Sequence, residues 1–397
     1  MKRRMNNEGS YGWKKIKGNK YIYYRDPSGK YTYAKSKKEL DQKLLDKKEE
    51  KKAELNSTYI FSDYCYVWLR TMRSELAPTT YDSYDDAIRT RIANTSLGNK
   101  AIRSLTVNMI NNFYNKMATK YSRGTIEKTN RVIVPTIKYG IKHQLIPELK
   151  LEDIKIPKES AVAVKRKEIQ FVSLDDVEKI YSEATRKTGN NTYVYGNAAK
   201  VIIFIMYSGL RVSEAIGLTW GAVNLKNGEI TVKASRARIT LRDEAGEKIL
   251  NEKGQKQYID IQKSPKTEHS YRTIPLPDRA IEVLKYFYKD DPKHKSNECV
   301  FINSNNFPYD KRSVQKCLDR ILKHIGYENK GITLHSLRHG YGSILISKGI
   351  DIKVVSKLLG HKDITTTYNI YIGVFKEDEV NAVKSVFNSG QKMGNDK

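Results

Sequence analysis

The segment from Ile332 to Gly373, ITLHSLRHGYGSILISKGIDIKVVSKLLGHKDITTTYNIYIG, constrains this chain more than any other. Its polar residues are badly placed for a stretch that only has to pack. His335 and Arg338 lie three apart in a helical pattern, so both leave one face of the helix and give it a positive, proton-handling surface. A second helix is expected from about Ile352 to Leu359. Gly360 breaks that pattern, His361 follows at once, and Tyr368 and Tyr371 stand seven and ten residues past the histidine. Each feature also has an ordinary reading: a helix-surface pair, a glycine C-cap with a favourable cation beside it, a core aromatic. Basic groups elsewhere in the chain decide between the two readings.

Those groups are plentiful. Lys and Arg number 72 against 45 Asp and Glu, a net charge of +27 that strains a compact state unless a polyanion offsets it. Nucleic acid is the natural counterpart, and 27 tyrosines spread among the lysines add stacking and phosphate-donor capacity. Cys65, Cys299 and Cys317 are odd in number and far apart, which fits neither a disulfide framework nor zinc spacing. The opening MKRRMNNEGS has no apolar run of the secretory kind, and no stretch reaches the length of a membrane span. A soluble, cytoplasmic protein of a reducing compartment is expected, and the richness in Lys, Asn, Ile and Tyr points to an AT-rich bacterial genome.

At 397 residues, two or three domains are expected. In residues 1–56, short aromatic runs separated by Gly18-Asn19 and Asp26-Pro27-Ser28-Gly29 predict three short antiparallel strands. Ser36 and Glu39 then form a capping-box pattern that opens a lysine- and glutamate-rich connector helix. This stretch holds 17 Lys/Arg against 8 Asp/Glu, and Trp13, Lys15, Lys17, Tyr21, Tyr23, Arg25, Lys30 and Tyr31 are its candidate DNA contacts. Residues 57–157 read as a helical domain. Its stripes are Ile60, Phe61, Tyr64, Val67 and Trp68; Tyr81, Tyr84, Ile88 and Ile92, capped by Thr79 or Thr80; Met109, Ile110, Phe113, Tyr114 and Met117; and a fourth from Thr125 towards His143 that Pro135 should kink or split. Arg89, Arg123, Lys128 and Arg131 are basic positions there that can touch phosphate. A small, basic linker follows at 158–168.

Residues 169–397 read as a mixed α/β domain. Ser173 starts a helix, and a strongly apolar one runs from Ala198 to Tyr207. SGLRVSE then delivers Arg211 to the start of the next helix, where phosphate is attracted, although taken alone the arginine is better explained by structural pairing with Glu214. Strands are expected at Glu229 to Lys233 and Arg272 to Leu276, with Lys266 near the tip of the excursion between them, a further strand at Cys299 to Ile302, and a helix from Ser313 to Ile325.

Taken in order, Arg211, Lys266, His335-x-x-Arg338, Leu358-Leu359-Gly360-His361 and Tyr371 resemble the signature of the tyrosine recombinase, or phage integrase, family. The likeness runs from about residue 169 to 388 through SGLRVSEAIGL, SPKTEHSYRTIPL, LHSLRHGYGSIL and LLGHKDITTTYNIYIGV. The layout upstream is similar to that of integrases of temperate phages and integrative conjugative elements. The resemblance implies a multidomain α+β protein: a three-stranded arm-binding domain, a helical core-binding domain and a catalytic domain with a C-terminal helix. It implies site-specific strand exchange that integrates and excises a mobile element at double-stranded attachment sites, performed by a homotetramer on DNA, with a directionality factor and a DNA-bending protein as possible helpers.

By the same resemblance, Tyr371 attacks a backbone phosphate and becomes joined to the 3′ end, with Tyr368 left as packing. Arg211 and Arg338 hold the non-bridging oxygens, Lys266 rather than Lys263 protonates the departing 5′ oxygen, His335 handles the nucleophile's proton, and His361 assists at the phosphate. A phenol with a pKa of about 10 needs such cationic help at neutral pH. One phosphodiester is exchanged for a phosphotyrosine and then for another phosphodiester, so neither metal nor nucleotide cofactor is expected. A stripe of Val380, Val383 and Phe387 in the helix from Glu377 to Phe387 suits docking on a neighbouring subunit or on its own domain. Two other readings stand beside this one: a type IB topoisomerase-like enzyme and a non-catalytic DNA-binding protein.

Overall fold

The computed structural model describes residues 10–16, 18–26, 29–46, 59–165, 170–263, 271–290 and 293–371 of the 397. It divides into two compact units, residues 1–166 and 167–397. Lys17, Lys266 and the expected helix from Glu377 to Phe387 lie outside the described residues. No helix among those described is long and apolar enough to cross a membrane.

The first unit opens on the three expected strands, β1 (Ser10–Ile16), β2 (Asn19–Arg25) and β3 (Tyr31–Ala34), antiparallel and in that order. Alternation sorts their side chains. Ile22 and Ala34 form a small core with Leu40 of α1, a helix described from 37 to 46, which Ser36 opens by accepting the Glu39 amide at 3.2 Å. The register places Tyr21, Tyr23, Arg25, Tyr31 and Tyr33 on the other face. Tyr23 lies across Gly12, where a Cβ would come within 2.5 Å of its hydroxyl, and the rings of Tyr31 and Tyr33 stack 5.9 Å apart. Trp13, 55% exposed, sits on the α1 side with Lys20 over its ring.

The helical part of this unit comprises α2 (Phe61–Thr71), α3 (Pro78–Ala87), α4 (Val107–Ala118) and α5 (Arg123–Lys142) around a core that includes Phe61, Tyr64, Trp68, Ile88, Phe113 and Ile133. Two expectations are corrected. The residue before α3 is Ala77, with Pro78 in the first turn, so neither Thr79 nor Thr80 caps it; proline's missing amide has no partner to lose there. Pro135 does not split α5, because Val132, Ile133, Thr136 and Ile137 are buried on either side of it and packing outweighs the lost bond. Between α3 and α4, Ile88–Ile92 forms a π turn carrying Arg89 and Arg91. The start of the basic linker packs on this core: Val162 is buried and the Ala163 amide donates to Ala118.

The second unit is wrapped around α7 (Gly196–Ser208), whose side chains from Ala199 to Met206 are all buried. A helix apolar on every side has to be enclosed. Around it stand α6 (Leu174–Ala184), α9 (Asp278–Asp290), α10 (Lys311–His324) and α11 (Leu334–Ser347). Ser173 caps α6 in a full capping box with Asp176, as the sequence indicates. Beside the helices lies an antiparallel sheet of β4 (Val223–Asn224), β5 (Glu229–Val232) and β8 (Arg272–Pro275). The excursion between β5 and β8 folds on itself as β6 (Ser235–Thr240) paired with β7 (Tyr258–Lys263). The strand expected at Cys299 to Ile302 is reduced to single bridges, Thr219 to Cys299 and Ile302 to Pro308, because a turn at Asn303 sends the chain straight back. All three cysteines are free thiols.

Candidate active site

Four elements converge at one end of α7. Gly209, left-handed at φ +65°, ends α7 and turns the chain into α8 (Val212–Ala215), with Arg211 at its N-cap and Glu214 one turn in. Arg272 starts β8, Arg338 comes from α11, and α12 (Ile352–Leu359) ends at Gly360, left-handed at φ +67°. The last carbonyls of a helix have no partner within it. Here three successive ones each take an arginine: Leu358 accepts from Arg272 Nε at 2.8 Å, Leu359 from Arg338 Nη2, and Gly360 from Arg211 Nη2 at 3.2 Å. Arg338 also donates to the Gly209 carbonyl at 2.8 Å.

The same three guanidinium groups surround one carboxylate. Glu214 accepts from Arg211 Nη1 at 2.7 Å and from Arg272 at 2.8 and 3.3 Å, and stands 3.8 Å from Arg338. Burial by itself would raise the Glu214 carboxyl. The hydrogen bonds from Arg272, then its charge and those of Arg338 and Arg211, instead hold it down at about 2. Three cations against one anion leave the cluster with surplus positive charge in the absence of any ligand.

The imidazoles bear the mark of that charge. His361 is pulled down to about 4, by burial first and then by Arg338 and Arg211; its Nδ1 lies 2.7 Å from Oγ1 of Thr367, which is fully buried on α13, a helix described from 364 to 371. His335 stands at the rim, lowered by the partial loss of water and then by Arg338 and Arg211. Both rings are neutral at neutral pH and able to take a proton.

Tyr371 ends the described part of α13 and is 0% exposed, packed with Ile346, Val355 and Leu359. Its ring centroid lies 6.2 Å from that of His339 and 6.0 Å from that of Phe171. Burial pushes the phenol up to about 12, with Arg338 pulling the other way. Among the described residues the hydroxyl has no hydrogen-bond partner, and neither do His339 Nδ1 or Ser343 Oγ. The hydroxyl reaches the backbone of α11 at Gly342, where a Cβ would sit only 2.2 Å from it.

The sequence-derived residues are therefore brought together where they can be seen: Arg211, His335, Arg338, His361 and Tyr371 line one corner of the unit. Two expectations are corrected. The helix face bearing His335 and Arg338 is not an open positive surface, because Arg338 is only 1% exposed and is engaged with backbone carbonyls. Tyr368 is not packing material: it is 47% exposed, and Tyr371 is the tyrosine that packs. Tyr371 packs against α11 at Gly342, while Tyr368 stays in contact with solvent.

Sequence reasoning missed Arg272, Thr367, His339 and a groove of about 780 Å³ lined by Lys353, Lys357, Lys362, Arg272 and His361, with no carboxylate lining it among the described residues. Arg272 had a readable signal. It alternates in phase with Ile274 and Leu276, which marks it as inward-facing.

A buried fan of guanidinium groups, neutral imidazoles and a tyrosine hydroxyl defines a phosphodiester-transfer site of the tyrosine nucleophile class. The chain belongs to the phage integrase family: that family's model matches residues 170–378, and the N-terminal SAM-like domain of phage integrases matches residues 60–118. It is a tyrosine-type site-specific DNA recombinase. It is 27% identical to a XerC-like tyrosine recombinase of Caldanaerobacter subterraneus subsp. tengcongensis over 91% of this chain and 93% of that one, and 23% identical to the integrase of Staphylococcus phage L54a over 84% and 94%. In fold it is similar to the Tn1549 transposon integrase in complex with transposon right end DNA (TM-score 0.62, 19% identity, 78% of this chain and 94% of that one). It is also similar to a lambda integrase dimer bound to a core site (TM-score 0.56, 14% identity, 93% and 96%).

Proposed function

We propose that this chain integrates and excises a mobile element, cutting DNA with Tyr371 and conserving the bond energy as a 3′-phosphotyrosyl link. The observation that carries the reading is the convergence of Arg211, Arg272 and Arg338 on Glu214 and the end of α12, beside Tyr371. In the cutting step Tyr371 Oη bonds to phosphorus as the bond from phosphorus to the 5′ oxygen breaks. His335 takes the phenolic proton and Lys266 gives one to the leaving oxygen. Arg211 and Arg338 hold the non-bridging oxygens, where a guanidinium fork fits better than a point charge, and His361 assists there. Cations fixed before the reaction stabilise the charge that builds at phosphorus more than the ground state. The reverse step, on the partner strand, restores the phosphodiester.

On this reading the docked phenol is a withheld nucleophile. Its hydroxyl is raised by burial, and α13 has to bring it out to the phosphate that the arginines hold. Arrival of that phosphate also reverses the field on His361 and His335, raising both towards protonation. The domains divide the DNA among them: 1–56 on arm sites, 57–157 on the core site and 169–397 at the scissile phosphate, joined by 158–168. Trp13, Lys15, Lys17, Tyr21, Tyr23, Arg25, Lys30 and Tyr31 contact the arm site, Arg89, Arg123, Lys128 and Arg131 the core site, and the groove between Lys353, Lys357 and Lys362 carries the next phosphates. A homotetramer on paired attachment sites completes the exchange.

The test is capture of covalent protein on a nicked suicide substrate bearing an attachment site of the element. Tyr371→Phe should abolish the 3′ adduct and retain binding, and Tyr368→Phe should leave both intact. Adduct that persists in Tyr371→Phe and disappears in Tyr368→Phe would move the nucleophile to the exposed tyrosine. Plasmid relaxation without strand exchange would make the chain a topoisomerase. Binding should weaken steeply with salt, each phosphate contact adding a slope of about −0.9 in log K against log salt.

A further inference from the structure

Arg272 is the one arginine of the cluster that the reaction scheme above leaves without a task. Its side chain is 3% exposed, at the inward-facing first position of a strand. Its three nitrogens all donate to protein: Nε to the Leu358 carbonyl at 2.8 Å, Nη2 to Glu214 Oε2 at 2.8 Å, and Nη1 to Glu214 Oε1 at 3.3 Å. The guanidinium also lies against Gly360, where a Cβ would come within 2.8 to 3.0 Å of three of its atoms. That glycine is fixed twice over, by its positive φ and by the arginine it admits.

We infer that Arg272 is a positioning residue of the recombination reaction: it neutralises Glu214 and pins the end of α12, so that Arg211 and Arg338 keep their charge for the scissile phosphate and His361 keeps its place. The inference rests on the phosphate-holding role proposed above for those two arginines. Charge counting gives the first half. Glu214 with Arg211, Arg272 and Arg338 sums to +2, and without Arg272 to +1, with the carboxylate left to Arg211 and Arg338. A buried carboxylate that loses its bidentate partner takes what remains, and what remains is the pair that has to receive phosphate. Geometry gives the second half. Arg272 ties Leu358 to β8, and His361 is three residues further along the same turn, so slack at Leu358 is slack at the imidazole. Each nitrogen of Arg272 is engaged with protein and its side chain is 3% exposed, whereas that of Arg211 is 37% exposed.

Three substrates and two variants test this in the full chain. Arg272→Gln should retain affinity for an attachment-site duplex and slow adduct formation at saturating DNA by about 100-fold, the scale of an ångström-sized misplacement at a reacting centre. Arg272→Lys keeps the charge but cannot span both Glu214 oxygens and Leu358, so about a tenfold loss is expected. A suicide substrate with a methylphosphonate at the scissile position carries no charge on that phosphorus and asks less of the two arginines. On it the Arg272→Gln defect should shrink to within about tenfold of the unmodified chain. A 5′-bridging phosphorothiolate, whose leaving group needs no proton, should leave the defect unchanged. Equal losses on all three substrates, or losses of rate and affinity in step with a lower melting temperature, would reduce Arg272 to a structural ion pair and overturn the inference, as would a normal rate in either variant. Failure of the unmodified chain to form adduct on the ordinary substrate would sink the recombination reading instead.

Discussion

Two neighbouring parts of the site are finished to different degrees. Around Glu214 every arginine has fixed partners, and three consecutive helix-terminal carbonyls are all satisfied. On the neighbouring α11 and α13, three buried polar atoms have none among the described residues: the phenol, His339 Nδ1 and Ser343 Oγ. Each such group costs about 1–3 kcal/mol of desolvation without return. The contrast teaches where the fold invests its order. On the roles proposed above, the charges that would receive phosphate are set in advance, whereas the phenol proposed as nucleophile is held where its hydroxyl has no partner among the described residues.

The largest expected effect attacks the finished side. Arg338→Ala should lower adduct formation by about 10³-fold or more. It should also destabilise the free protein by roughly 3–5 kcal/mol, because Glu214 loses a charge and two carbonyls lose donors inside the protein. Tyr371→Phe, by contrast, should abolish adduct with no loss of stability, since it removes an unpartnered hydroxyl and leaves the ring in place. Chemical denaturation of both variants makes the comparison. A destabilised Tyr371→Phe would mean that the phenol has a hydrogen bond after all and that the pocket is as finished as the cluster.

Next in size is Gly342→Ala. The added methyl would fall 2.2 Å from the Tyr371 hydroxyl and 3.1 Å from Leu359, so the tyrosine has to give way. If the buried pose is storage, expelling it should speed adduct formation by up to about tenfold, ~1.4 kcal/mol of storage energy released, and make the phenol reactive towards nitration in the free protein. Slower cutting with the phenol exposed would mean that the pocket is the working position.

Much of this was legible in the sequence, for particular reasons. Ser173, Gly360 and the apolar run from Ala198 announce a cap, a helix stop and a buried helix by local rules that tertiary structure did not override. The site residues were legible only through their ordered likeness to the tyrosine recombinase signature, since Arg211 alone reads as a partner of Glu214 and Lys266 alone as a solvated lysine. What could not be read is which way α13 faces: Tyr368 and Tyr371 are equivalent by composition, and only packing against Gly342 sends one inward. Pro135 and Pro78 show the same limit, since the cost of a proline depends on what surrounds the turn. Arg272 was hidden because an arginine in a basic chain looks like surface charge until its alternation with Ile274 is weighed.

Acid titration separates the two parts again. His361 and His339 are both lowered to about 4, each by burial first. Between that value and the ordinary 6.5 the unfolded chain binds protons that the folded chain refuses, so stability should fall as pH drops through this window. Glu214 acts lower still: its contribution is whole above the ordinary carboxylate range and is lost as pH falls towards 2. Melting temperature against pH should therefore show two acid limbs, with His339→Asn flattening the upper one. An unchanged slope between pH 6.5 and 4 in that variant would place the upper limb elsewhere.

The smallest expected effect falls on the link between the two regions. Thr367 lies one turn before Tyr371 on α13, and its Oγ1 meets His361 Nδ1 at 2.7 Å, so the helix that carries Tyr371 also orients an imidazole of the charged cluster. With Thr367 donating to Nδ1, the ring carries its proton on Nε2, the nitrogen free to donate to a phosphate oxygen. Thr367→Val keeps the shape and removes the donor. It should slow adduct formation by about five- to tenfold, the worth of one hydrogen bond of ~1 kcal/mol, without altering affinity for DNA, and Thr367→Ser should restore the rate. The sign is informative because, on the proposed mechanism, α13 has to move for the phenol to reach phosphorus. If the bond holds only in the stored state, Thr367→Val would instead release the helix and quicken cutting, and His361 would belong with the unfinished pocket and not with the arginines.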